Sequence, residues 1–208
     1  MGVGLPATLQ PPPADGAAAK VSTLPMAALP TSEAAAQRLA EQLRAHYTRV
    51  WRTLRQIGVP EAFADDAAQE VFIVLARKLD QLPEGTERKF LLSTAVRVAA
   101  NYRRTWRVRH EVVDDHAVAA EQDPQPSADQ LLDQKRLRQA LDDLLEAWPD
   151  EIRTAFVLFE LEGLSVPEIS ELTETKVGTV ASRLRRAREL FQAGVKRLRA
   201  RAAAGGAA

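Results

Sequence analysis

Between Glu33 and Ile57, the apolar residues Leu39, Leu43, Tyr47, Val50, Leu54 and Ile57 recur at steps of three and four. That spacing gathers side chains into one stripe along an α-helix. Ser32 is placed to cap its start and Gly58 to end it. A second stripe, Phe63, Ala67, Val71, Val74 or Leu75, and Leu79, predicts a helix from Glu61 to Leu82 between Pro60 and Pro83. A third helix is expected from about Glu84 to Arg107, with Phe90, Leu91, Thr94, Ala95, Val98 and Tyr102 inward and arginines toward its end. Three such stripes can cover one another, which makes a small helical domain.

From Val112 to Ser127 the stripe disappears and Pro124 and Pro126 interrupt the chain, so this span is expected to be a linker. Four further helices follow in the pattern: Ala128 to Ala147, Asp150 to Leu161, Val166 to Leu172, and Val177 to about Arg201. Pro149 and the turn from Gly163 to Ser165 punctuate them. Nothing alternates with the period of two that a half-buried strand requires. The expectation is therefore an all-α protein: two small helical domains joined by a flexible acidic linker, the C-terminal one containing a helix-turn-helix. The expected spans are a disordered Pro/Ala-rich leader at 1–30, a helical domain at 31–110, the linker at 111–127, a second domain at 128–201 and a disordered tail at 202–208.

Composition narrows the chemistry. Six of the twelve prolines lie in the first 30 residues, which lack the basic start and unbroken apolar run of a signal peptide. No stretch approaches the roughly 20 apolar residues that span a bilayer. Without cysteine there is no disulfide framework, thiolate zinc site or cysteine nucleophile, and a cytoplasmic location is the natural expectation. His46, His110 and His116 have no ligand spacing, and there is no Gly-rich phosphate loop. No enzyme activity, cofactor or metal is expected.

The formal net charge of zero hides a segregation of charge along the chain. Arg97 to His110 holds five arginines and no acid, Glu111 to Asp133 seven acids and no Lys or Arg, and Lys176 to Arg201 nine basic residues against the single Glu189. Two basic segments around an acidic spacer suggest two contacts with a polyanion, joined by a part that avoids or mimics it.

The second basic segment has a recognisable frame. Ser165-Val-Pro-Glu168 fits a capping box with proline in the first turn, which starts a short helix. After Thr173 to Lys176 a longer helix begins, with Val180, Leu184, Ala187, Phe191, Val195 and Leu198 on a buried face and Thr179, Ser182, Arg183 and Arg186 on another. A short helix, a four-residue turn and a longer helix bearing hydroxyl and guanidinium groups near its start form the pattern of a helix-turn-helix, whose second helix enters the DNA major groove. A solvated basic face is the plain alternative.

"LEGLSVPEISELTETKVGTVASRLRRAR" resembles region 4 of bacterial RNA polymerase sigma factors of the extracytoplasmic-function group, above all in "EGLS..EI" and "VGTV.SRL.RAR". Upstream, "ADDAAQEVFIVLARKLDQL" and "FLLSTAVRVAANYRRTWRVR" resemble region 2 of that group. The resemblance covers about residues 40 to 200, with both blocks in the family's order. It implies a protein that binds core RNA polymerase through the clamp coiled coil of the largest subunit and brings it to promoter DNA. Asp65, Asp66, Gln69, Glu70, Val71 and Phe72 would face the polymerase. Arg97, Asn101, Tyr102, Arg103 and Arg104 would serve the minus-10 element, and Thr179, Ser182, Arg183, Arg185 and Arg186 the minus-35 element.

Each assignment has a simpler counterpart in the residues themselves. Asp66, Gln69 and Glu70 are also what an ordinary acidic helix start contains, and Tyr102 and Trp106 serve equally as core residues. Arg188 suits phosphate or packing.

Relatives also imply an anti-sigma factor as partner and a linker that follows the polymerase's RNA exit path, where Asp114, Asp115, Glu121 and Asp123 would mimic RNA. The chain departs from the family pattern at Arg97 and Asn101, at Ala181 where Lys or Arg is frequent, and at Glu174, a turn position that favours a residue tolerant of positive φ. A stand-alone helix-turn-helix regulator, with 31–110 as its dimerisation or ligand domain, is the competing reading.

Overall fold

The computed structural model describes the backbone of residues 33–109 and 128–205, and the side chains of 33–105 and 137–200. The leader and the acidic linker lie outside the described residues. All regular structure among those described is helical. In order it comprises α1 (Glu33–Gln56), α2 (Glu61–Lys78) with a 3₁₀ turn at Leu79–Gln81, α3 (Glu87–Arg109), α4 (Ala128–Glu146), α5 (Asp150–Phe156) continued by a π-helical turn at Val157–Leu161, α6 (Val166–Leu172) and α7 (Val177–Gly205). The chain divides into two compact units, Met1–Gln139 and Ala140–Ala208.

In the first unit α1, α2 and α3 pack against one another. The α1 stripe is buried along its whole length, with Leu39, Leu43, Leu54 and Ile57 at 1% exposure or less. Each such side chain contributes about 1.5 to 3 kcal/mol through removal from water. On α2 small residues give way to large ones: Ala64, Ala67 and Ala68 are buried in its first half, and Val71, Phe72 and Leu75 in its second. Phe72 stacks on Tyr47 of α1 with ring centroids 5.9 Å apart.

The turn between α1 and α2 shows how the sequence stops a helix. Gly58 takes φ of 100°, which a side chain would oppose. Val59 N–H then donates to the Leu54 carbonyl at 2.9 Å, and the Arg55 side chain closes onto the Val59 carbonyl at 2.6 Å. The α2 to α3 connection is held by Arg38, which donates to Glu87 at 3.0 and 2.5 Å and to the carbonyls of Leu79 and Leu82 at 3.2 and 3.1 Å. One guanidinium thus ties α1 to both sides of the turn. The second helix, expected to reach Leu82, tightens to 3₁₀ at Leu79–Gln81, where the Leu79 carbonyl accepts from both Arg38 and the Leu82 N–H, each at 3.2 Å.

The second unit is built on α5, α6 and α7, with Leu144 and Leu145 buried at the end of α4. Phe156 meets Trp148 edge-on at 5.1 Å and Phe191 face-on at 5.5 Å, so one ring joins α5 to α7 and to the end of α4. The π turn is new relative to the sequence pattern, which gave one uninterrupted helix. Glu162 N–H reaches back five residues to the Val157 carbonyl at 2.9 Å, and Gly163 at φ of 70° then reverses the chain.

Two expectations for α7 are corrected. Leu198 lies on the predicted stripe but is 39% exposed, whereas Val180, Leu184 and Ala187 earlier on the same stripe are buried. The helix also continues to Gly205, so the tail expected to begin at Ala202 is helical for its first four residues. Alanine is the strongest helix former, and a run of it extends a helix already nucleated.

Candidate nucleic-acid interface

Two helical ends and one acidic face carry the candidate residues. The α6 to α7 element is a helix-turn-helix with each part fixed by its own chain. Ser165 starts α6, and the Glu168 carboxylate accepts both its backbone N–H at 2.8 Å and its hydroxyl at 2.6 Å. Ile169 and Leu172 are buried beneath α6.

In the turn, Thr173 and Thr175 N–H groups return to the carbonyls of Ile169 and Ser170 at 2.9 and 3.0 Å. Ser170, Thr173 and Thr175 hydroxyls each donate to a nearby carbonyl, at 2.6, 2.6 and 3.0 Å. Glu174 takes φ of 52°, the left-handed conformation anticipated from its turn position. Its own N–H returns to the Glu171 carbonyl at 3.3 Å, and hydroxyl bonds flank it on both sides.

On α7, Val180, Leu184 and Ala187 are buried, which turns Thr179, Ser182, Arg185 and Arg186 to solvent. Arg183 is half-buried and reaches back to the Thr175 hydroxyl at 3.4 Å, so it braces the turn as well as bordering the exposed face. Arg186 pairs with Glu189 one turn on at 2.8 Å. Arg188 belongs to the other edge: its guanidinium lies 5.4 Å from the Phe159 ring centroid and 3.6 Å from Glu160. Its contacts within the chain are thus with the π turn.

In the first unit the acidic stretch divides. Asp65, Asp66 and Glu70 are exposed and Gln69 is half-buried, giving a polar face on α2. Val71 and Phe72, expected to face the polymerase, are instead 0% exposed and belong to the core. Steps of three and four place Asp66, Gln69 and Glu70 on one side of the helix, and the same geometry turns Val71 and Phe72 away from it.

Asp65 accepts the Tyr47 hydroxyl at 2.7 Å. Burial, then the bond to Asp65 and the charges of Asp65 and Asp66, holds that phenol far above its ordinary range.

On α3, Arg97, Asn101 and Arg104 are exposed, and Arg104 donates to the Asn101 amide oxygen at 3.3 Å. Tyr102 is half-buried against Phe63, with ring centroids 6.0 Å apart. Its phenol is raised by burial and by the nearby charges of Glu70 and Asp66. The acidic face of α2 and the basic end of α3 therefore adjoin at Tyr102. Arg103 donates to the Ile57 carbonyl, so part of its donor capacity caps α1 rather than facing outward. Trp106 and the later arginines of α3 carry no described side chains.

No group of three or more His, Cys, Asp or Glu residues able to hold a metal occurs among the described residues. None of the described helices is long and apolar enough to cross a membrane.

An all-helical chain whose second unit presents a helix-turn-helix, basic along its exposed face, defines the class of helix-turn-helix DNA-binding proteins. The model of the family "Sigma-70, region 4" matches residues 138–191, the span holding this element. The ECF RNA polymerase sigma-E factor of Escherichia coli is 34% identical over 139 residues, covering 63% of this chain and 73% of that protein. The ECF RNA polymerase sigma factor SigE of Mycolicibacterium smegmatis is 33% identical over 151 residues, 72% of this chain and 58% of that longer protein.

Among solved structures, the sigma factor RpoE in complex with the anti-sigma factor NepR from Bartonella quintana matches with a TM-score of 0.58 at 17% identity, over 75% of this chain and 95% of that one. CnrH in complex with the cytosolic domain of CnrY matches with a TM-score of 0.54 at 20% identity, over 88% and 96%. These two share the fold. The chain belongs to the family of ECF RNA polymerase sigma factors.

Val177 escaped the reading of the sequence. It was marked only as the start of α7, and it stands there as an apolar side chain that is 51% exposed. Glu189 escaped too: it counted only as the lone acid among basic residues, whereas its position three residues after Arg186 was the signal for the ion pair.

Proposed function

We propose that this chain binds core RNA polymerase and directs it to promoters, with the α2 polar face on the polymerase, the exposed residues of α3 at the minus-10 element and α7 at the minus-35 element. The observation that carries the proposal is the outward face of α7, where Thr179, Ser182, Arg185 and Arg186 all stand in solvent behind a braced turn. Arginine can hold a guanine edge with two hydrogen bonds, and both arginine and the hydroxyls bind phosphate.

In the first unit, Asp66, Gln69 and Glu70 offer acid and amide groups to a basic partner surface. Val71 and Phe72 support that face from beneath and take no direct part. The protein acts as a non-catalytic factor in the cytoplasm, where DNA and polymerase meet. A protein inhibitor is the natural regulator, since the two solved structures described above are complexes with a second protein, one of them named an anti-sigma factor.

The test is transcription in vitro from a genomic fragment library, with purified core polymerase and the full chain. Specific start sites should appear only when both are present, and the chain alone should bind the same fragments poorly. Tight binding of a symmetric site by the chain alone would instead support a stand-alone regulator.

A further inference from the structure

The first two turns of α7 carry an apolar edge that the hydroxyl and arginine contacts leave unused. Val177, the first residue of the helix, is 51% exposed, and Ala181, four residues on, is exposed as well. Residues four apart stand one above the other on a helix, so the two side chains form a single short strip. Gly178 lies beside it, and a Cβ built there would meet nothing within 4 Å. Ser182 and Arg185 border the strip on its outward side, and both are exposed. The strip is thus continuous with the face proposed for DNA. It lies at the N-terminal end of the helix, the part of a recognition helix whose residues reach base edges.

The composition of the strip is informative because the fold does not require it. Val180 and Leu184 supply the buried contacts of these turns at 1% and 3% exposure, so Val177 adds little to the core. A β-branched residue is also a weaker helix former than alanine, so local propensity does not favour it either. At Ala181, which is exposed, the short side chain leaves the edge low and uncharged. Low and apolar is what a close approach to a methyl group in the groove needs. Thymine alone among the four bases presents such a group there, on its C5 atom.

We propose that Val177 and Ala181 read the 5-methyl group of a thymine in the minus-35 element. The inference rests on the assignment of α7 to promoter DNA and deepens it, adding a base that guanidinium and hydroxyl groups alone do not single out. Removing one methyl from such a contact should weaken binding about fourfold, the equivalent of one buried methylene.

The experiment uses holoenzyme assembled from the full chain and core polymerase, on a promoter selected by that holoenzyme. Each thymine of the minus-35 duplex, on either strand, is replaced singly by deoxyuridine, which pairs identically and lacks only the methyl. At one or two positions wild-type binding should fall about fourfold. In the variant carrying Val177→Ser and Ala181→Ser, thymine and deoxyuridine promoters should bind alike at those positions.

Insensitivity of the wild type at every position overturns the inference, as does a selected minus-35 element without thymine on either strand, or a methyl effect that persists in the double variant. Arg186→Ala separates the two levels. If it weakens promoter binding while deoxyuridine has no effect, only the thymine contact fails; if it also leaves binding unchanged, the assignment of α7 to the promoter fails with it.

Discussion

The hydroxyl of Tyr47 donates to the carboxylate of Asp65 across 2.7 Å, joining the buried stripe of α1 to the first residue of the acidic face on α2. Tyr47 itself is buried and its ring lies against Phe72. Asp65 therefore has a structural partner on its own chain, whereas Asp66 and Glu70 stand on the exposed side. Tyr47→Phe keeps the ring stack and removes the bond. It should lower unfolding stability by about 1 kcal/mol, since Asp65 is exposed enough for water to replace the lost donor. Urea denaturation measures this, and a double-mutant cycle with Asp65→Ala should assign most of the loss to the pair.

Burial also separates a binding role from a packing role within α2. Asp66→Ala and Gln69→Ala should reduce capture by core polymerase in a pull-down while leaving the helical circular dichroism and the melting temperature close to wild type. Phe72→Ala should do the opposite first. Its side chain is fully buried, so truncation should cost about 3 to 5 kcal/mol and unfold much of the first unit. Wild-type capture by both surface variants would count against α2 as the polymerase face.

Glu87 is buried and hydrogen-bonded to Arg38, which also holds two carbonyls of the α2 to α3 turn. Burial pushes the Glu87 carboxyl up, but the bond from Arg38, backbone donors and the Arg38 charge together take it below the ordinary glutamate range. A depressed folded value means the group stabilises the fold above its unfolded pKa and loses that contribution as pH falls through the folded value. Glu87→Gln should cost about 1 to 3 kcal/mol near neutral pH. The gap from wild type should stay constant down to the ordinary glutamate range and shrink below it. A gap that is flat down to strongly acidic pH would show that the charge of Glu87 contributes nothing.

The turn of the helix-turn-helix holds Glu174 at φ of 52° without a glycine's freedom. Glu174→Gly should relieve that conformation and stabilise the second unit by about 0.5 to 1 kcal/mol, the relief exceeding the extra freedom gained by the unfolded chain. The midpoint of urea unfolding, followed through Trp148 fluorescence, should move upward. A lower midpoint would mean that the hydroxyl bonds around the turn depend on the glutamate.

On α7, Arg186 is held by Glu189 at 2.8 Å, both side chains being more than half exposed. Such a pair adds little to stability, but it sets the charge that the helix presents to DNA. Arg186→Ala should weaken promoter binding by the holoenzyme by about 1 to 3 kcal/mol if it meets a base edge, with lost discrimination. If it meets phosphate, the loss should be uniform across sequences and the salt slope should fall by about one. Glu189→Gln should raise affinity for all DNA sequences, and titration against salt distinguishes these outcomes.

The sequence by itself determined the helices and most of their buried faces. Apolar spacing at three and four residues is a local property, and Pro60, Gly58, Pro149, Ser165 and Gly163 mark ends through backbone chemistry that acts within a few residues. The left-handed turn at Glu174 followed instead from the resemblance to the family, whose turn favours a residue tolerant of positive φ at that position. Tertiary structure decided which side of each stripe meets another helix. Val71 and Phe72 sit beside Gln69 and Glu70 in sequence, yet the packing of α1 and α3 on α2 takes the first two inside and leaves the others on the polar side.

Val177 and Leu198 are apolar and in phase with a helix, yet both stand exposed. Arg38 shows the converse, because a residue with no local signal became the tie for a turn more than forty positions away. Long-range contacts of this kind depend on where whole helices lie. The period of a single helix fixes the direction of a side chain and leaves open what stands opposite it.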